Sequence, residues 1–129
     1  MKKEELIELI DSLKIDKNEY WILSSGALVL RGIYEDAGDL DIAVTYKGLE
    51  QLKQNYTLKE KQNGWYIVNK NVECVCDGNI EDLEYKPEII DNKYQVQNIY
   101  DYLRFIRASK REKDKARIEL IEDYIKNNY

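Results

Sequence analysis

The stretch Trp21-Ile22-Leu23-Ser24-Ser25-Gly26-Ala27-Leu28-Val29-Leu30-Arg31-Gly32, followed after the acidic loop Tyr34-Glu35-Asp36-Ala37-Gly38 by Asp39-Leu40-Asp41-Ile42-Ala43-Val44, decides how this chain is read. Tyr20 to Leu23 is a short aromatic and aliphatic run closed by Ser-Ser-Gly, which suits a buried strand ending in a tight turn. Ala27 to Arg31 reads as helix, with Gly32 ending it, and Leu40 to Val44 reads as a second strand. In Asp39-Leu40-Asp41 the two carboxylates stand at i and i+2. At the entrance to a strand they point to one side of the sheet while Leu40 and Ile42 face the core. Two neighbouring carboxylates repel, and burying both is costly unless a cation compensates them. Mg2+, which takes oxygen ligands and keeps positions for substrate phosphates, suits such a pair better than Ca2+. The plain alternative is a loop-shaping Asp39 and a solvated Asp41.

Outward from this block, Leu6, Ile7, Ile10 and Leu13 recur at helical spacing and predict an amphipathic helix over residues 3–14. Residues 47–54 suit a short helix, and Tyr56 to Lys61 with Gly64 to Val68 read as two strands turning at Gln62-Asn63. Val72 to Cys76 is a further strand, on which Glu73, Val75 and Asp77 alternate onto one face. Residues 79–93 carry no clear period, and Pro87 opposes a continuous helix there. Tyr94 to Gln97 suits one more short strand. From Asn98, a good N-cap with Asp101 in the first turn, the pattern is helical to the end with a break near Ser109-Lys110. The element order predicts one α/β domain of the α+β kind over residues 1–129: a mixed sheet with flanking helices and two C-terminal helices.

Composition narrows the chemistry. The chain has 129 residues, enough for one core without disulfides or a structural metal. Its 43% hydrophobic and 35% charged content with a single proline excludes a disordered or linker-rich chain. With no histidine, a zinc site or a Ser-His or Cys-His nucleophile is excluded, so any chemistry falls to carboxylates, amines and hydroxyls. The net charge of −5 opposes coating of nucleic acid by bulk electrostatics. No apolar stretch approaches the roughly 20 residues that span a bilayer, so a cytoplasmic protein with no membrane partner is expected. Cys74 and Cys76 share a strand face and read as buried thiols. Lys110, Arg111, Lys113, Lys115 and Arg117 form the one dense basic cluster, read either as a solvated helix end or as a phosphate contact with Lys113 the candidate.

The hydrophobic strand, Ser24-Ser25-Gly26, the helix opening at Ala27-Leu28 and the Asp39-Leu40-Asp41-Ile42 block together resemble the nucleotidyltransferase superfamily of the polymerase-β type. The likeness is greatest to its minimal members, including those of abortive-infection and toxin–antitoxin systems. The tail, with Tyr102-Leu103-Arg104-Phe105, Arg111-Glu112-Lys113-Asp114 and Ile118 to Glu122, resembles the helical tail with an arginine-x-lysine-aspartate turn found in many of them. The resemblance covers most of residues 20–123. Two stretches differ from the family's pattern: Ser24 stands where a glycine is usual, and Glu35 and Asp36 stand where relatives carry arginine and threonine.

The resemblance implies a metal-dependent transfer of a nucleoside monophosphate from a nucleoside triphosphate such as ATP to an acceptor hydroxyl. That acceptor is a small molecule, an RNA end or a protein side chain. Asp39 and Asp41 would hold Mg2+, and a third acid on a later strand would complete the site: Glu73, preferred because it lies inside its strand, or Asp77 at the strand's end. Ser24, Ser25 and Gly26 would meet the nucleotide, together with Lys113. The other reading is a catalytically idle domain of the same fold that binds a nucleotide or a protein partner, for example as an antitoxin.

Overall fold

The computed structural model describes residues 1–129. The chain begins with α1 (Lys3–Ser12), whose Leu6 and Ile10 are buried, and a 3-10 turn leads into β1 (Tyr20–Ile22). Then follow α2 (Ser24–Leu30), β2 (Leu40–Val44), α3 (Tyr46–Asn55), β3 (Lys59–Glu60), β4 (Trp65–Asn69) and β5 (Val72–Cys76). The hairpin of β6 (Glu88–Ile90) and β7 (Tyr94–Val96) precedes α4 (Ile99–Ala108) and α5 (Glu112–Asn128). No helix is long and apolar enough to cross a membrane.

The seven strands form one mixed sheet in the order β3-β4-β5-β2-β1-β7-β6. The parallel pairs are β2 with β5 and β1 with β7; the others are antiparallel. This is the α+β architecture expected from the element order. Strand alternation decides the two faces. Leu40, Ile42 and Val44 of β2, with their register partners Val72 and Cys74, are fully buried in one cluster with Leu6 and Ile10 of α1, Val29 and Leu30 of α2 and Leu52 of α3. A second cluster is built by α4 and α5 around Leu28, on the other side of α2, with Ile99, Tyr102, Leu103, Ile106 and Ile121. The opposite sheet face carries Trp21, Asp41 and Ala43, Glu73 and Val75, and Trp65 and Ile67, each facing its register partner.

Local chemistry explains the joints. Thr45 caps α3 by accepting from the Gly48 N–H at 3.0 Å, and its hydroxyl donates to Glu19 Oε1 at 2.6 Å. Asn98 caps α4, accepting from the N–H groups of Tyr100 and Asp101, as expected. Arg31, whose side chain is 2% exposed, donates to Glu88 Oε1 at 2.7 Å and to the Gln97 carbonyl at 3.0 Å, fastening the end of α2 to the β6–β7 hairpin. The break at Ser109 is held by Asp114, fully buried, which accepts from Ser109 Oγ at 2.6 Å and Arg111 Nε at 2.8 Å.

Several boundaries differ from the sequence reading. The strand expected over Tyr56 to Lys61 pairs only at Lys59 and Glu60, because Tyr56 and Leu58 pack against the core instead of extending the sheet. The helix expected from Ala27 begins at Ser24. Strand β6 was not expected at all; it turns back through Asp91 and Asn92, both at φ 56. Cys74 is buried and Cys76 partly so, both free; burial first, and Cys76 second, push the Cys74 thiol up to about 11.

Candidate functional site

Asp41 sits on β2 with its side chain on the face opposite α1, α2 and α3, and its register partner on the adjacent parallel strand is Glu73. Neighbouring strands lie roughly 4.8 Å apart, so these two carboxylates emerge side by side. Burial first, then the charges of Glu73 and Asp39, push the Asp41 carboxyl above its ordinary range, with Lys61 acting the other way. Asp39 itself is exposed, one residue ahead of β2.

Glu73 is held by a cation. Lys61 Nζ lies 2.8 Å from Glu73 Oε1, and hydrogen bonding to Glu73 raises the Lys61 ammonium above its ordinary value. Lys61 reaches this position because its N–H donates to the Trp65 carbonyl at 2.7 Å, closing a hairpin through the 3-10 turn Gln62–Gly64, with Asn63 at φ 62 and Gly64 at φ 81. Asp41, Lys61, Gln62, Asn63, Trp65 and Glu73 line a cleft of about 350 Å³. Asp41 and Trp65 also border a second cleft of about 320 Å³, walled by Ser24, Asp77 and Gln97 and, from α4, by Tyr102 and Phe105. The two clefts adjoin at Asp41 and Trp65 and are together called the groove.

The expected residues are therefore distributed unevenly. Asp41 and Glu73 are brought together, whereas Asp77 stands at the far end of β5 and shares the second cleft with Asp41. Ser24 borders that cleft at φ 50, a left-handed conformation in which a glycine carries no steric penalty. Its N–H donates to Gln97 Oε1 at 3.4 Å. Gly26 is buried against the sheet: an added Cβ would meet Ile22 Cγ2 at 3.0 Å and Leu40 Cδ1 at 3.6 Å, so its smallness serves packing of α2 on β1 and β2. Ser25 lies beside it in the first turn. Lys113 is exposed on α5 and borders neither cleft. Its neighbours in the basic cluster serve the fold: Arg111 pairs with Asp114, and Arg117 donates to the hydroxyls of Tyr34 and Tyr102.

No three acidic or cysteine side chains stand close enough together to hold a metal ion. Magnesium does not require such a cage, since it is commonly held by one or two carboxylates, with water and substrate phosphates completing the shell. The Asp41–Glu73 pair matches that donor set. Lys61 and Trp65 escaped the sequence reading; the signal available was the turn Gln62-Asn63-Gly64, which makes Lys61 and Trp65 its two ends. No family model, curated protein or solved structure matches the chain.

Proposed function

We propose that this chain is a cytoplasmic, metal-dependent nucleotidyltransferase that moves a nucleoside monophosphate from a nucleoside triphosphate to an acceptor hydroxyl. The observation that carries the reading is the register pairing of Asp41 with Glu73 beside two adjoining clefts of about 350 and 320 Å³. Asp41 and Glu73 would hold Mg2+, which when bound neutralises charge on the phosphate oxygens and aligns them. Glu73 would take the acceptor's proton. The acceptor oxygen bonds to the α-phosphorus, the bond from that phosphorus to the bridging oxygen breaks, and pyrophosphate leaves. Ser24 and Gln97 supply polar groups along the groove, and Trp65 and Phe105 supply aromatic surface on its sides.

A second reading is favoured by one specific contact. Because Glu73 is already neutralised by Lys61, a domain that binds a nucleotide or protein partner without catalysis would also be stable in this form. Calorimetric titration of each nucleoside triphosphate with and without Mg2+ tests the site, and release of pyrophosphate on adding an acceptor separates a transferase from an idle nucleotide-binding domain. Magnesium-dependent binding abolished by Asp41→Asn is the expected result. Absence of any triphosphate binding to the wild-type chain would refute the transferase reading.

A further inference from the structure

The groove contains two carboxylates in register and one cation. Of the residues lining either cleft that Asp41 borders, Lys61 alone carries positive charge. Side-by-side carboxylates on adjacent strands destabilise each other unless an opposite charge stands near. Here that charge is an ammonium 2.8 Å from Glu73 Oε1, an oxygen that a divalent ion held by the pair would also need.

The mounting of Lys61 differs from that of the carboxylates. Asp41 and Glu73 project from the two strands at the middle of the sheet, each paired on both sides. Lys61 follows β3, an edge strand of two exposed residues, and precedes a three-residue turn whose Asn63 has a left-handed backbone. Its side chain is 44% exposed, while that of Glu73 is 28% exposed. An ion pair this open to water contributes little to stability and is released at small cost. The carboxylates are fixed and the ammonium can leave.

We propose that Lys61 is a built-in counter-cation that occupies the Asp41–Glu73 site while no divalent ion is bound and is displaced when one enters. This rests on the metal-site reading above and adds a competition to it. A single charge on a flexible stem partly offsets the pair in the free protein, and a divalent ion held there would bring two. The competition weakens ion binding by the free protein.

The test uses the full chain and Mn2+ as the probe, with free ion counted by electron paramagnetic resonance. Lys61→Gln removes the competitor and is expected to tighten Mn2+ binding about fivefold, the factor set by an exposed ion pair. Lys61→Arg keeps the charge and stays near the wild-type affinity. As a second measurement, acetylation of Lys61 in the wild-type chain, followed by mass spectrometry, accelerates when Mn2+ is added. Wild-type binding of Mn2+ that Asp41→Asn abolishes, combined with unchanged or weaker binding by Lys61→Gln, would overturn the counter-cation and leave the metal site standing. Failure of both wild type and Lys61→Gln to bind Mn2+ would overturn both. Tighter binding by Lys61→Gln without triphosphate binding would support the counter-cation and remove the transferase reading alone.

Discussion

Asp41 and Glu73 are register partners on the two central parallel strands β2 and β5, so one carboxylate of the pair is desolvated while the other keeps a lysine. The pair has consequences for stability that do not depend on any ligand.

Because burial, Glu73 and Asp39 raise the folded-state value of Asp41, the native chain holds this proton more tightly than the unfolded chain does. Stability is therefore lost as pH rises from the unfolded carboxylate value, about 3.9, through the raised folded value. Asp41→Asn removes that loss. Its melting temperature at pH 7 is expected to exceed the wild type's by about 1–4 °C, and the difference should vanish near pH 3. Melts across that range check it; a variant less stable at pH 7 would show that the charge of Asp41 is fully compensated in the free protein.

Ser24 carries a left-handed φ of 50 without the freedom of glycine. Replacing it with glycine relieves the steric penalty, and the expected change is a gain of about 0.5–1 kcal/mol in urea denaturation. Ser24→Val places a branched side chain in the same conformation and should cost about 1–2 kcal/mol. The opposite order of stabilities would mean that the Ser24 side chain contributes more than its backbone costs.

Asp114 acts with the opposite sign to Asp41. Burial alone would push its carboxyl up, but the hydrogen bonds from Ser109 and Arg111 and the charges of Arg111 and Arg117 hold it below the usual range. Its contribution is complete above the unfolded value of about 3.9 and is lost as pH falls through the lower folded value. Asp114→Ala is expected to cost about 2–4 kcal/mol at pH 7 and to flatten the acid side of the stability profile. Tm measured between pH 2 and 5 decides it; an acid limb as steep as the wild type's would assign that limb to other carboxylates.

Gly48 lies where the start of α3 crosses the turn before β1. A Cβ there would stand 2.5 Å from the Glu19 carbonyl oxygen and 3.1 Å from Ile15 Cδ1. Gly48→Ala gains helix propensity of roughly 1 kcal/mol, yet the collision with backbone should leave it less stable by about 1–3 kcal/mol. Chemical denaturation reporting a net gain would show that the Thr45–Glu19 junction yields freely.

What the sequence disclosed follows from where the burial is. Strands β2 and β5 coincide end for end with the runs Leu40–Val44 and Val72–Cys76, because Leu40, Ile42 and Val44 on one, and Val72 and Cys74 on the other, put a buried residue at every second position. The same alternation put Asp41 and Glu73 on open faces before their pairing was known. Strand β6 was hidden: it is three residues long and follows Pro87, and its one clue was the turn-forming Asp91-Asn92. Lys61 was hidden for another reason. Its position depends on how β4 lies on β5, and that register shifts between Ile67 and Asn69, an irregularity no hydrophobic period encodes.

The pairing of Ile22 with Val96 has a consequence for synthesis. As the chain leaves the ribosome, β1 can find β2 early, but its other neighbour, β7, is made only after the five strands β2 to β6. Until Val96 has emerged, one side of β1 remains an open edge in what becomes the interior of the sheet, and the α4–α5 pair that covers Leu28 is still unmade. Completion of this fold therefore waits for β7, α4 and α5, and the nascent chain is most prone to aggregate just before β7 arrives.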